Sequence, residues 1–152
     1  MREGNIGVLS NGAALAMATM DCLKYHGGSP ANFLDMGGTA SPEQLIEAIK
    51  LLENDERIDS IIFNIFGSMA DCNIIASCIL SAAEDIQSTK PIVLLLKGRN
   101  SESAKKMIES QGKELGVYFC DEMDAAAQMV VQLAESERLK KSKVGASGLN
   151  KL

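Results

Sequence analysis

Two short segments carry the residue types that bind anions. Ser10-Asn11-Gly12 and Gly67-Ser68-Met69-Ala70 each follow an apolar run and precede a helical pattern. A strand that turns straight into a helix aims the helix's unpaired N–H groups, and the positive end of its dipole, at whatever lies beyond the strand. Asn11 adds a side-chain amide that can donate to a carboxylate or a phosphate. The candidate binding residues are therefore Asn11, Gly67, Ser68, Met69 and Ala70. The same residues also suit a purely structural role, with Gly12 and Gly67 in tight turns and Asn11 as a helix cap. Neither loop matches a Walker A or a full GxGxxG pattern, so no nucleotide motif is present. No Ser-His-Asp or Cys-His arrangement stands out, and no catalytic residue is assigned. His26, the single histidine, precedes Gly27-Gly28 at the end of a helical pattern and is expected to cap carbonyls there. It has no Cys or acidic neighbour at metal-ligand spacing, and no metal site is assigned. Cys22, Cys72, Cys78 and Cys120 contain no CxxC pair. They are expected to be reduced and mostly buried, in a reducing compartment.

The elements that must position these loops repeat as strand, then helix. Apolar, β-rich runs occur at Asn5–Ser10, Asn32–Met36, Asp59–Phe66, Pro91–Leu96 and Val117–Cys120. Their near-continuous apolar character predicts a sheet covered on both faces. Helical spacing predicts helices over Ala13–Tyr25, from Pro42 to about Leu52, over Cys72–Ile86, over Ser101–Gln111 and over Met123–Ala134. Ser41 with Gln44 three residues on, and Pro42 between them, is a capping-box start for the second helix. Five strand-helix repeats predict an α/β fold, an open parallel five-stranded sheet in the flavodoxin-like order 2-1-3-4-5 with helices on both faces. In that order the strand direction of growth reverses between the first and third strands, where the two anion-type loops would lie together. Residues 1–135 are expected to form the domain. Residues 136–152, rich in Lys, Ser and Gly, are expected to be a disordered tail.

Composition narrows the functions available. The chain has 152 residues, which suits one domain with a sizeable core. Hydrophobic residues make up 46% and aromatic residues 4%, with no Trp, so the core must be Ile, Leu, Val, Ala and Met. A net charge of −5 disfavours nucleic acid as a partner, because that binding rests on Lys and Arg. No apolar run reaches the roughly 18 residues of a membrane span, and no signal peptide or transit peptide is evident at the start.

Longer stretches carry a family resemblance. Asn5–Asp21 (NIGVLSNGAALAMATMD), His26–Gly38 (HGGSPANFLDMGG), Ile61–Ala76 (IIFNIFGSMADCNIIA), Pro91–Asn100 (PIVLLLKGRN) and Asp124–Glu135 (DAAAQMVVQLAE) resemble the C-terminal CoA-ligase domain of succinate–CoA ligase β subunits. The resemblance covers about Gly4–Glu135 and is nearest to the mitochondrial ATP-type subunit. It implies a domain that packs on a succinate–CoA ligase α subunit. It also implies a share in converting succinyl-CoA, phosphate and a nucleoside diphosphate to succinate, CoA and the triphosphate, a tricarboxylic acid cycle reaction. Asn11 then matches the substrate-binding Asn, and Ser68, Met69 and Ala70 fall on the turn whose backbone meets succinate or phosphate. The family's phosphohistidine belongs to the α subunit, so His26 is not that residue. The family uses Mg²⁺ and ATP or GTP through an ATP-grasp domain that this stretch does not resemble. The chain alone is thus expected to bind no cofactor and to show no ligase activity. The expected location is the mitochondrial matrix, or the cytoplasm for a bacterial chain.

Several positions depart from the family's motifs. VNGAGLAM becomes SNGAALAM with Ala14, and DVGGGA has Thr39 in place of its third Gly. NIFGGIMRCD becomes NIFGSMADCN, with Ser68 for Gly, Asp71 for Arg and Asn73 for Asp. VVRLEGTN becomes VLLLKGRN, with Leu95 for Arg and Lys97 for Glu. Asp71 reverses a charge beside the anion-binding turn and is expected to repel phosphate or succinate. Two readings stay open: part of an active ligase, or a diverged non-catalytic paralogue that binds the α subunit. An unrelated small anion-binding flavodoxin-like domain is a third.

Overall fold

A computed structural model describes residues 4–38 and 41–149, except the side chains of residues 67–70 and 149. Strand β1 is Ile6–Ser10 and helix α1 is Ala13–Tyr25; α2 is Pro42–Asn54 and β2 is Ser60–Asp71. Then follow α3 (Cys72–Ile86), β3 (Ile92–Arg99), α4 (Ser101–Gln111), a 3-10 turn (Lys113–Leu115), β4 (Val117–Phe119) and α5 (Met123–Leu149).

Among the described residues the sheet has four strands, all parallel, in the order β1-β2-β3-β4. The expected five-stranded sheet in order 2-1-3-4-5 is not formed, because Asn32–Met36 is not a strand. The backbone around it pairs with β1 through two isolated bridges, Ile6 with Pro30 and Ser10 with Asp35. The physical reason sits at Asn32. Its side-chain Oδ1 accepts from the Val8 N–H at 2.9 Å and its Nδ2 donates to the Val8 carbonyl at 2.8 Å. A side-chain amide takes the place of a peptide there, so no continuous backbone ladder forms.

Strand residues alternate between two cores, as period-two geometry requires. Leu9, Ile61, Phe63, Ile65, Ile92, Leu94 and Leu96 face α2, α3 and α4, meeting Leu45, Ile49, Ile79 and Ile108. Ile6, Val8, Ile62, Val93 and Leu95 face α1 and α5, meeting Leu23, Ala126 and Val130. Burial on both faces is why these strands read as unbroken apolar runs.

The helix starts follow the sequence closely. Ser41 accepts from the Gln44 N–H at 3.2 Å and its own N–H donates to Gln44 Oε1 at 2.9 Å, the expected capping box. Helix α5 continues past Ala134 to Leu149. No Gly or Pro interrupts it before Gly145, and Lys141 Nζ holds it to Asp59 Oδ1 at 2.6 Å. Residues 142–148 beyond that tie are exposed.

Candidate functional site at the carboxyl ends of β1 and β2

With the observed strand order, growth does not reverse between β1 and β2, so the reversal cannot be what makes a site there. The two loops are nevertheless neighbours, because β1 and β2 are hydrogen-bonded through Ser10 and Asn64. Asn11 joins them. Its Nδ2 donates to the Phe66 carbonyl at 2.8 Å, and the Phe66 N–H donates to its Oδ1 at 2.9 Å. Gly12 follows at φ 147°, a backbone state that side chains rarely allow. It opens α1 with no side-chain cap and no acidic residue in the first turn. The α1 N-terminus therefore keeps its capacity for an anion.

A cavity of about 250 Å³ lies beside these ends. Leu9, Asn11, Ile65 and Asp71 form its sheet side; Ser41, Pro42 and Leu45 of the α2 start, and Ile74, Ile75 and Cys78 of α3, form its walls. The lining is mainly apolar with a few polar groups, the composition usual for small-molecule sites. Burial pushes the Cys78 thiol up from its ordinary range, and the Glu43 carboxylate adds to that.

Asp71 caps α3. Its Oδ1 accepts from the Asn73 N–H at 2.9 Å, and Asn100 Nδ2 donates to both its oxygens at 3.1 Å. Arg99 lies 3.5 Å from Oδ2. Asn100's amide first, then the Asn73 N–H, hold this carboxyl below its usual range, with Arg99 contributing. The carboxylate thus occupies the α3 N-terminus that a bound anion would otherwise use.

Gly67 pairs with Gly98 and Asp71 with Arg99, so residues 68–70 are extra on the β2 side, a bulge at the strand's end. Bulges of this kind re-aim a strand end beside functional sites. The side chains of Ser68, Met69 and Ala70 fall outside the described residues, so the part of Gly67, Ser68, Met69 and Ala70 in the site rests on the backbone and the sequence.

Comparison with known proteins decides the family. The CoA-ligase family model matches residues 9–131. The chain belongs to the CoA-ligase family. It is 48% identical over 139 residues to the mitochondrial β subunit of ADP-forming succinate–CoA ligase from Columba livia, covering 91% of this chain and 33% of that protein. The corresponding subunit of Dictyostelium discoideum is 49% identical over 133 residues, covering 88% and 29%. A bacterial β subunit, from Neorickettsia sennetsu, is 48% identical over 135 residues, covering 89% and 34%. The chain thus spans about a third of the length of these relatives, in their C-terminal part. Among solved structures, PH0766 from Pyrococcus horikoshii OT3 superposes with a TM-score of 0.72 at 19% identity, over 90% of this chain and 36% of that one. An ADP- and phosphate-bound acetyl-coenzyme A synthetase 1 from Ca. Korarchaeum cryptofilum superposes at 0.73 and 15%, over 90% and 35%. These two establish the shared fold.

Within the CoA-ligase family the departures now have places. Leu95, where the motif has Arg, is buried in the α1/α5 core at 4% exposure, so that change is one of packing. Asp71 and Arg99 stand where the motifs carry Arg and Thr, and the two new charges meet each other. The sequence reading treated Asp71 alone and missed Arg99 and Asn100; the motif difference at position 99 was the available signal. It also missed a second cluster. Cys22, His26 and Asp124 place their ligand atoms within 4.8 Å of one another, although Asp124 is remote in sequence. Cys22 and His26 at i and i+4 were the signal that sequence offered.

Proposed function

We propose that this chain is the CoA-ligase domain of a succinate–CoA ligase β subunit. It docks on the α subunit and presents a substrate- and phosphate-binding turn for the reaction succinyl-CoA + phosphate + NDP to succinate + CoA + NTP. The observation that carries this is the near-half identity to such β subunits over nine-tenths of the chain. The α1 N-terminus at Gly12, Asn11 beside it, and the backbone of Gly67, Ser68, Met69 and Ala70 form the binding turn. The unit that docks is residues 1–135. Nucleotide and Mg²⁺ are handled by an ATP-grasp region outside this stretch. Mitochondrial and bacterial relatives support the mitochondrial matrix, or the cytoplasm for a bacterial source. Among the described residues no helix is long and apolar enough to cross a membrane.

A second reading is favoured by one observation. Asp71 holds α3 N–H groups that an incoming anion would need, as a non-catalytic paralogue that keeps only the α-subunit surface would tolerate.

Mixing the chain with a succinate–CoA ligase α subunit and separating by size exclusion tests the docking. Co-elution at one to one is expected at micromolar concentration; two separate peaks would count decisively against it. Titrating phosphate and succinate into that complex then divides the two readings. Saturable binding, weakened by Asn11→Ala, supports the ligase, and no binding by an intact complex supports the paralogue.

A further inference from the structure

We propose that Cys22, His26 and Asp124 form a binding site for a thiophilic divalent metal ion, with zinc(II) as its best-fitting occupant. The site lies apart from the cavity at the strand ends, whose lining includes none of the three residues. It does not depend on the ligase reading.

Cys22 lies in the last turn of α1 and His26 caps that helix's end, so the spacing of four stacks their side chains on one face. Asp124, in the first turn of α5, comes between them from 102 residues away. Cys22 Sγ is 3.5 Å from Asp124 Oδ1, and His26 Nε2 is 3.1 Å from the same oxygen. Tetrahedral zinc, with bonds of about 2.3 Å to sulfur and about 2.0–2.2 Å to nitrogen and oxygen, sets its ligand atoms roughly 3.2–3.6 Å apart. Both measured separations already lie near that range. The Sγ and Nε2 atoms, within 4.8 Å, have at most a small closing movement to make.

The chemistry of the three donors is selective. Thiolate, imidazole and carboxylate together suit zinc or a similar first-row ion, and not Mg²⁺ or Ca²⁺, which prefer all-oxygen sets. The imidazole is oriented, because the Tyr25 ring packs edge-on against it at 5.1 Å and 88°. Its side chain is only 14% exposed, whereas Asp124's is 77% exposed, so the side of the cluster where water would complete a tetrahedron faces solvent. A reactive nucleophile is the poorer explanation of the cluster. Burial, then the hydrogen bond and charge of Asp124, push the Cys22 thiol up and hold it protonated. A bound cation reverses that balance, since it favours the thiolate and takes up the carboxylate's charge.

The test uses the full 152-residue chain, reduced and stripped with chelator. Zinc(II) is titrated by calorimetry, and cobalt(II) serves as a spectroscopic probe. One equivalent of zinc is expected per chain, with a rise in Tm. Cobalt should give an ultraviolet thiolate-to-metal band and tetrahedral visible bands. Cys22→Ser should abolish the thiolate band and weaken zinc by more than the roughly tenfold that losing even an outer-shell partner costs. His26→Gln and Asp124→Asn should weaken zinc likewise, while Cys78→Ser should leave uptake unchanged. In the wild-type chain, zinc should protect Cys22 from alkylation, read by peptide mass spectrometry, so the outcome stands even if a variant folds poorly. Equal alkylation of Cys22 with and without zinc, or a cobalt spectrum without a thiolate band, would overturn the proposal. The cluster would then be a hydrogen-bonded pin between α1 and α5.

Discussion

The side chain of Asn11 forms a two-point hydrogen-bonded ring with the peptide of Phe66, donating to its carbonyl at 2.8 Å and accepting from its N–H at 2.9 Å. A residue at the end of β1 thereby fixes where the end of β2 runs. The same amide that would face a substrate is also the clamp that aligns the two loops.

Replacing Asn11 should therefore do two things at once. Asn11→Ala loses both hydrogen bonds, and with net values near 1 kcal/mol each, partly offset by water at this half-exposed position, stability should fall by about 1–2 kcal/mol. Asn11→Asp keeps the acceptor for the Phe66 N–H but sets a carboxylate oxygen against the Phe66 carbonyl, so it should be at least as damaging. Urea midpoints read by circular dichroism check this. Wild-type midpoints in both variants would mean that the ring contributes nothing net.

Asp71 and Arg99 should behave as a coupled pair. Asp71→Arg alone removes the α3 cap and places a second guanidinium near Arg99, so it should destabilise. Adding Arg99→Thr should recover part of that loss, and the double variant should bind phosphate more tightly than wild type, most clearly at low salt. A double-mutant cycle in chemical denaturation measures the coupling. Strict additivity would show that the two side chains act independently. Unchanged phosphate binding would show that Asp71 does not compete for the α3 N-terminus.

Acid stability should report Asp55 most directly. The Arg57 guanidinium beside it, donating at 3.0 Å and 2.6 Å, is the main cause that holds its carboxyl down at about 2. An unfolded Asp titrates near about 3.9. The folded value lies below the unfolded one, so the stabilisation is full above about pH 4 and is lost as pH falls through about 2. NMR titration of the Asp55 carboxyl should show the depressed value, and Arg57→Ala should raise it. An unchanged value in that variant would remove Arg57 as the cause.

Most of the element list was legible in the sequence. The spacing predicts α1, α3 and α4 over the residues they occupy, because each carries buried residues at helical spacing, such as Ala16 and Leu23, Ala76 and Ile79, and Ala104 and Ile108. The continuous burial of β1, β3 and the first part of β2 follows from their near-continuous apolar composition. Segment 29–36 was not legible. Asn32 and its neighbours have strand-like chemistry, but whether a side chain or a peptide meets Val8 depends on where β1 lies. The change from five strands in order 2-1-3-4-5 to four in order β1-β2-β3-β4 rests on that one substitution of side chain for backbone.

The candidate site divides in the same way. The local pattern of Asn11-Gly12 after a strand was enough to mark an anion-type helix start, since capping and the helix dipole act within a turn. The partners of Asp71 and the meeting of Cys22, His26 and Asp124 depend on how α1, α3, β3 and α5 pack on the sheet. Those contacts join residues 28 to 102 positions apart, and only tertiary structure sets such distances. The sequence by itself therefore determined most of the strands and helices, segment 29–36 and the end of α5 excepted, and marked the α1 start as a turn with open N–H groups. The packing of the sheet decided which charges neutralise one another and which donors converge, because those interactions act through space rather than along the chain.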